Sequence, residues 1–299
     1  MSLDIRGCGT ALVTPFGKDG TLDLDAMRRL VQFQLHAGVD FLVPCGTTGE
    51  TPTLEHAEYL GVVRAVVQEV AGKVPVIAGV GGNNTREVID LAAEVRALGV
   101  QGILSVAPYY NRPTQEGLYQ HFQAIAQSTD LPMILYNVPG RTSSNIEPPT
   151  LARLSRIPNI IGIKEASGSI VQQMEVLAAV PPDFHVLSGD DTFTFPLMAL
   201  GGVGIISVVS NEIPGEITRL AHLLLEGKLE AARQLHFKLL PLMQVNFIET
   251  NPIPVKAALA MMGMIEEVYR LPMVPMKAEN RAKLEEVLAA QGLLQGQKL

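Results

Sequence analysis

A (β/α)8 TIM barrel with a C-terminal α-helical extension is the α/β fold that this sequence predicts. Three observations carry the prediction. Eight short runs rich in β-branched and other apolar residues recur at residues 10–14, 41–44, 74–80, 102–107, 133–137, 160–164, 185–188 and 203–209. They are continuously apolar rather than alternating, as strands are when both faces of a sheet are covered. The segments between them carry helical periodicity, and strict strand–helix alternation implies a parallel sheet with right-handed crossovers.

The helical segments follow in order. Residues 25–36 place Leu30, Val31 and Phe33 among their apolar positions, and residues 56–70 and 86–98 repeat the pattern. Asn84-Thr85 and Thr114-Gln115-Glu116 supply helix starts. An open doubly wound sheet fits the same alternation, but such sheets usually carry a phosphate-binding fingerprint. Gly79-Val80-Gly81-Gly82-Asn83-Asn84 follows a strand, yet Asn84 stands where the third glycine belongs. After about residue 212 the pattern is helical only, at 217–225, 229–244, 255–262 and 277–290, with Pro252, Pro254, Pro272 and Pro275 at the joins. The reading is therefore a barrel over residues 1–224 holding the active site, a helical extension over 225–299, and a frayed tail at 295–299.

The 299 residues, 47% of them hydrophobic, suffice for one barrel-sized core. A formal net charge of −7, with no long Lys/Arg run, argues against a nucleic-acid-binding surface. No apolar run reaches the ~18 residues of a membrane span. Residues 1–6 lack the basic and apolar regions of a signal peptide. Cys8 and Cys45, the only cysteines, make no disulfide framework and read as reduced thiols of a cytoplasmic protein. None of the six histidines forms a His-x-His or His-Glu-x-x-His pattern, so no metal site is expected.

Barrel enzymes build their active sites at the C-terminal ends of the strands. The sixth run, Ile160-Ile161-Gly162-Ile163-Lys164-Glu165-Ala166, ends in a lysine. Burial there disfavours the charged form, and a neutral amine can form a Schiff base with a carbonyl substrate. The competing reading is a buried ion pair with Glu165, although adjacent strand residues face opposite sides. The second run ends in Gly46-Thr47-Thr48-Gly49-Glu50, whose hydroxyls and amides can hold a small carboxylate or simply cap a turn. The fourth ends in Pro108-Tyr109-Tyr110-Asn111-Arg112-Pro113, where tyrosines can serve packing or an interface. The fifth ends in Tyr136, a phenol able to relay protons, with Arg141, a carboxylate fork, five residues on. Ser188-Gly189-Asp190-Asp191 reads as a close-approach glycine and a helix cap rather than a metal site.

Gly46-Thr47-Thr48-Gly49-Glu50, Tyr136-Asn137-Val138-Pro139-Gly140-Arg141-Thr142 and Gly162-Ile163-Lys164-Glu165-Ala166 together resemble the dihydrodipicolinate synthase (4-hydroxy-tetrahydrodipicolinate synthase) family. That family belongs to the pyruvate-dependent class I aldolases, with the N-acetylneuraminate lyases. The likeness spans nearly the whole chain and includes Asn251-Pro252-Ile253-Pro254-Val255-Lys256 and Arg270-Leu271-Pro272-Met273.

The resemblance implies that Lys164 forms an imine with pyruvate, with no metal or organic cofactor. It implies that Thr48 and its neighbours hold the pyruvate carboxylate, and that Gly189 and Ile206 line the substrate site. Tyr136 is then the proton donor and acceptor. Thr47 links it to a Tyr110 supplied by the neighbouring subunit. Arg141 binds the carboxylate of L-aspartate 4-semialdehyde. A shared tyrosine implies a homo-oligomer, a dimer of dimers being the family's common state. The family's L-lysine inhibition site maps to Thr51, Pro52, His56, Tyr59, Asn83, Glu87 and Tyr109, with Tyr59 in place of a frequent histidine and Pro52 in place of a small residue. The alternatives are an aldolase for N-acetylneuraminate or 2-keto-3-deoxy-gluconate, and a non-catalytic binding barrel that would tolerate loss of Lys164.

Overall fold

The structure, a computed structural model, describes residues 3–294. The expected frayed tail at 295–299, and Met1 and Ser2 of the segment read as lacking a signal peptide, lie outside the described residues. The strands are β1 (Gly7–Ala11), β2 (Phe41–Val43), β3 (Ile77–Gly79), β4 (Gly102–Val106), β5 (Met133–Asn137), β6 (Ile160–Glu165), β7 (His185–Ser188) and β8 (Gly204–Ser207). Between and after them run α1 (Leu24–Ala37), α2 (His56–Val70), α3 (Thr85–Ala97), α4 (Gln115–Ser128), α5 (Pro139–Thr142) and α6 (Pro148–Leu154). The remaining helices are α7 (Ile170–Ala179), α8 (Thr194–Ala199), α9 (Pro214–Leu225), α10 (Leu229–Val245), α11 (Ile253–Met261) and α12 (Ala278–Ala290).

The strands pair in parallel in the order β2-β1-β8-β7-β6-β5-β4-β3. A parallel bridge between Leu42 and Val76 joins the two ends of that order and closes the barrel. The expected helix starts are real caps. The Asn84 side chain accepts from the Arg86 amide at 3.2 Å, and Thr114 Oγ1 accepts from the Gly117 amide at 3.2 Å. Each satisfies an amide that the first helical turn leaves free. Glu55 and Glu58 form a reciprocal capping box on α2.

The first strand sits three residues earlier than expected, at Gly7–Ala11 instead of 10–14. The Val13 amide donates to Asn211 Oδ1 at 3.2 Å and the Thr14 hydroxyl to the Gly49 carbonyl at 2.7 Å, so these residues have left the ladder. Gly7 and Gly9 carry little strand propensity, which hides the true start. β3 is also shorter than expected, because Pro75 contributes only its carbonyl, accepting from the Leu42 amide at 3.0 Å.

Side chains of alternate residues fill the barrel interior, among them Phe41, Val43, Ile77, Leu104, Ile134, Leu187 and Ile206. A second layer, with Leu42, Val62, Ile103, Phe122, Met133 and Ile163, packs strands against the surrounding helices. A further apolar cluster joins Cys8 and Ile205 of the sheet to Leu239, Ala257 and Leu284 of α10–α12, so the last three helices share a core with the β8–β1 seam.

At that seam Gly7 pairs with Gly204, and a Cβ on Gly204 would lie 2.2 Å from the Gly7 carbonyl oxygen. Gly204→Ala is therefore expected to destabilise by about 4 kcal/mol or more in chemical denaturation, because a clash with backbone cannot relax cheaply. Gly61→Ala in α2, where a Cβ meets nothing within 4 Å, is expected to stabilise by about 0.5–1 kcal/mol. Equal stabilities for the two variants would contradict this reading of the seam.

Candidate active site

The β5–β6 register sets Tyr136 opposite Lys164, which turns both side chains to the barrel interior. Lys164 is only 5% exposed, and its Nζ lies 4.4 Å from the centre of the Tyr136 ring. Among the described residues it makes no ion pair. The expected competitor, Glu165, is committed elsewhere. Its carboxylate accepts from Asn137 Nδ2 at 3.1 Å and from the Ser167 amide at 2.8 Å. Burial pulls the Lys164 amine down to about 8, Asp191 opposes the shift, Arg141 adds to it and Asp190 opposes it. A buried cation without a carboxylate partner gives up its proton more easily, which makes this lysine a nucleophile near neutral pH.

Tyr136 closes one side of the amine. Burial raises its phenol above the ordinary value, while Arg141 and the neighbouring Thr47 hydroxyl pull it back. Thr47 belongs to a tight turn, Thr47–Gly49, directly after β2. The Thr48 hydroxyl accepts from Asn251 Nδ2 at 3.1 Å. Thr47, Tyr136 and Arg141 all line one cavity of about 440 Å³ at this end of the barrel, with Gly46, Val106 and Tyr109. Lys164 is not part of that wall, and its amine packs on the ring of Tyr136, which is. Arg141, exposed on α5, donates from Nη2 to the Asn251 carbonyl at 3.4 Å.

Gly189 lies against Lys164. A Cβ there would sit 3.0 Å from Lys164 Cγ and 3.1 Å from Cε, so the position must lack a side chain for Lys164 to take its path. Ile206 is fully buried in the barrel interior on β8, opposite Gly9 of β1. Tyr110 stands apart in a left-handed backbone conformation (φ 65°), with its residue 89% exposed. Within one chain it reaches neither Thr47 nor Tyr136 among the described hydrogen bonds.

The positions matched to an L-lysine site divide. Thr51, Pro52 and Tyr109 line the 440 Å³ cavity. His56 Nε2 lies 2.8 Å from Glu94, Glu87 Oε1 accepts from Asn84 Nδ2 at 2.7 Å, and the Asn83 carbonyl accepts from Asn111 Nδ2 at 2.8 Å. Tyr59 is a core residue, 4% exposed, whose hydroxyl donates to the Gly79 carbonyl at 2.9 Å.

Two residues of the site went unrecognised in the sequence. Asp190 is the helix cap expected, accepting from the Thr192 amide at 2.8 Å. Asp191 instead turns inward and accepts from Ser207 Oγ at 2.5 Å and the Val208 amide at 3.0 Å, tying the end of β7 to the end of β8. Burial pushes its carboxyl up to about 6, with the Ser207 hydroxyl and the Val208 amide opposing. Asn251 is the other. It contacts both Thr48 and Arg141 from a distant part of the chain, and the Asn251-Pro252-Ile253-Pro254-Val255-Lys256 motif of the resemblance assigned it no role. No group of three or more His, Cys, Asp or Glu side chains is placed to hold a metal among the described residues, and none of their helices is long and apolar enough to cross a membrane.

Known proteins resemble this chain over nearly its whole length. The chain is 58% identical to the 4-hydroxy-tetrahydrodipicolinate synthase of Koribacter versatilis (strain Ellin345), over 98% of each chain. The chloride-inhibited dihydrodipicolinate synthase from Acinetobacter baumannii, solved complexed with pyruvate, superposes with a TM-score of 0.96 at 40% identity, over 97% of this chain and all of that one. The enzyme from Cyanidioschyzon merolae, solved with lysine bound, gives 0.95 at 41% identity, over 98% and 100%. The profile of the dihydrodipicolinate synthetase family matches residues 4–291. A match that runs from before β1 to the last turn of α12 leaves no element of the barrel outside it, and the chain belongs to that family.

Proposed function

We propose that this chain condenses pyruvate with L-aspartate 4-semialdehyde to 4-hydroxy-tetrahydrodipicolinate, the step that commits carbon to diaminopimelate and lysine. It is a lyase of the class I aldolase type. The observation that carries the reading is Lys164, a buried amine without an ion-pair partner among the described residues, packed on a phenol that lines a cavity together with an arginine.

The Lys164 amine attacks C2 of pyruvate, and the carbinolamine loses water to give a protonated imine. The imine draws electrons from the methyl carbon, which loses a proton and leaves an enamine. The enamine carbon attacks the aldehyde carbon of the second substrate. The free amino group of that substrate then closes the ring on C2 and releases Lys164. Tyr136 gives and takes the protons, through Thr47 and a Tyr110 from a neighbouring copy. Thr48, with Ile206 through its backbone, holds pyruvate, and Arg141 holds the semialdehyde carboxylate. The covalent imine is the only activating group the scheme uses.

The exposed Tyr110 supports a homo-oligomer, and the family resemblance favours a dimer of dimers. Two buried free cysteines support a reducing, cytoplasmic setting. Thr51, Pro52 and Tyr109 at one cavity support L-lysine as an inhibitor, which a titration of activity with L-lysine reads directly. A flat response would remove it.

The reading is tested by following product formation from pyruvate and the semialdehyde with a coupled reductase that oxidises NADPH. Turnover is expected for the parent and a loss of about 10⁴-fold or more for Lys164→Ala. Cleavage of N-acetylneuraminate or 2-keto-3-deoxy-gluconate instead would overturn the substrate assignment. The pH profile gives a second check. Lys164 must be neutral to attack, so kcat/KM for pyruvate should fall about tenfold per pH unit on the acid side of an apparent pKa near 8 and level off above it. An acid limb governed by a group at the ordinary lysine value of 10.5 would contradict it. Hybrids answer for Tyr110. Inactive Tyr110→Phe and Lys164→Ala chains, dissociated and reassembled together, should regain activity, whereas mixtures as inactive as their parts would confine each site to one chain.

A further inference from the structure

Lys256 is a second buried lysine and no step above uses it. It is completely buried on α11, in an otherwise apolar helix, with its Nζ 2.5 Å from Glu50 Oε1. Phe16 covers the amine at 4.3 Å from the ring centre. An ion pair this dry is a poor source of stability, because desolvating both charges offsets their attraction and an uncharged pair of similar volume can serve as well. Its placement gives it another use.

Glu50 directly follows the Thr47–Gly49 turn and is itself held in the left-handed region, with φ 52°. Cys45, before the turn, is also left-handed, with φ 55°. Non-glycine residues stay in that region only where the surroundings hold them there. The Glu50 carboxylate is anchored at both oxygens, by Lys256 Nζ and by the Arg270 amide at 3.2 Å. Arg270 is fixed in turn by a two-pronged bond to Glu58, at 2.5 and 2.6 Å, and by the carbonyls of Gly20 and Thr53. Asn251, two residues before α11, meets the same turn at Thr48. Three residues between 251 and 270, Asn251, Lys256 and Arg270, thus converge on residues 48–58.

We propose that the Lys256–Glu50 pair positions the Thr47–Gly49 turn for the substrate carboxylate, with Lys256 and Glu50 as positioning residues. The helical extension is then part of the pyruvate site, although it contributes no reacting group. The proposal rests on the assignment of that turn to pyruvate. A charge-assisted bond is shorter and stiffer than a neutral one, and its loss lets the turn relax from its strained backbone.

The test compares the parent with Glu50→Gln/Lys256→Met, which removes both charges and leaves neither unpaired. Thermal unfolding, KM for each substrate and the pyruvate concentration dependence of borohydride inactivation are measured on the full chain. The expected result is a Tm near that of the parent, a KM for pyruvate raised about tenfold or more, and a KM for the semialdehyde within about twofold. A parent-like KM for pyruvate would reduce the pair to a structural contact and overturn the proposal. An equal rise in both KM values with a lowered Tm would also overturn it, as general loosening. Should the double variant not fold, Glu50→Asp decides, since it keeps both charges and shortens the tether by one methylene. A raised KM for pyruvate supports the proposal and an unchanged one overturns it. If pyruvate and borohydride fail to inactivate the parent itself, the assignment of the turn falls first, and the proposal with it.

Discussion

A lysine stripped of water with no carboxylate to neutralise it is the constraint on which the rest of this site depends. Two lysines in this chain are buried to a similar degree, and burial lowers the pKa of both. Lys256 is locked to Glu50. Lys164 faces an aromatic ring, with its nearest acidic side chains tied up elsewhere. Glu165 is held by Asn137 and Ser167, Asp190 by Thr192, and Asp191 by Ser207 and Val208. The same desolvation therefore acts on a paired amine in one place and, among the described residues, on an unpaired one in the other.

The barrel supplies the direction and the loops supply the contacts. Register places Lys164 beside Tyr136, and the bare Gly189 gives the lysine its path. The turn after β2 brings Thr47 to the phenol, and α5 brings Arg141 to the wall of the same cavity. Asn251 ties the turn after β2 to α5, the two segments proposed to hold the substrate carboxylates, through its side chain to Thr48 and its carbonyl to Arg141. One residue outside the barrel strands thus fixes the spacing between the groups that would hold the two substrates.

Much of this was legible in the residues, for physical reasons. Strands covered on both faces are continuously apolar, so all eight stood out and their alternation with helices implied the closed parallel sheet. Polar residues interrupting such runs at their C-terminal ends marked Lys164, Tyr136, Thr47 and Arg141. The start of β1 was misplaced because close packing at the seam requires glycines, which carry no strand signal. The short helices α5 to α7 left little periodicity to read. Asp191 looked like the second half of a cap until its inward turn was seen. Lys256 and Asn251 meet residues more than two hundred positions away, and such contacts leave no local trace.

The central claim is that Lys164, and not the equally buried Lys256, is the carbonyl-trapping amine. Treating the protein with pyruvate and borohydride, digesting it and sequencing the peptides by mass spectrometry tests this most directly. The account predicts one reduced pyruvate per chain, carried on Lys164 and absent without pyruvate. A label on Lys256, or none on any lysine, would contradict it.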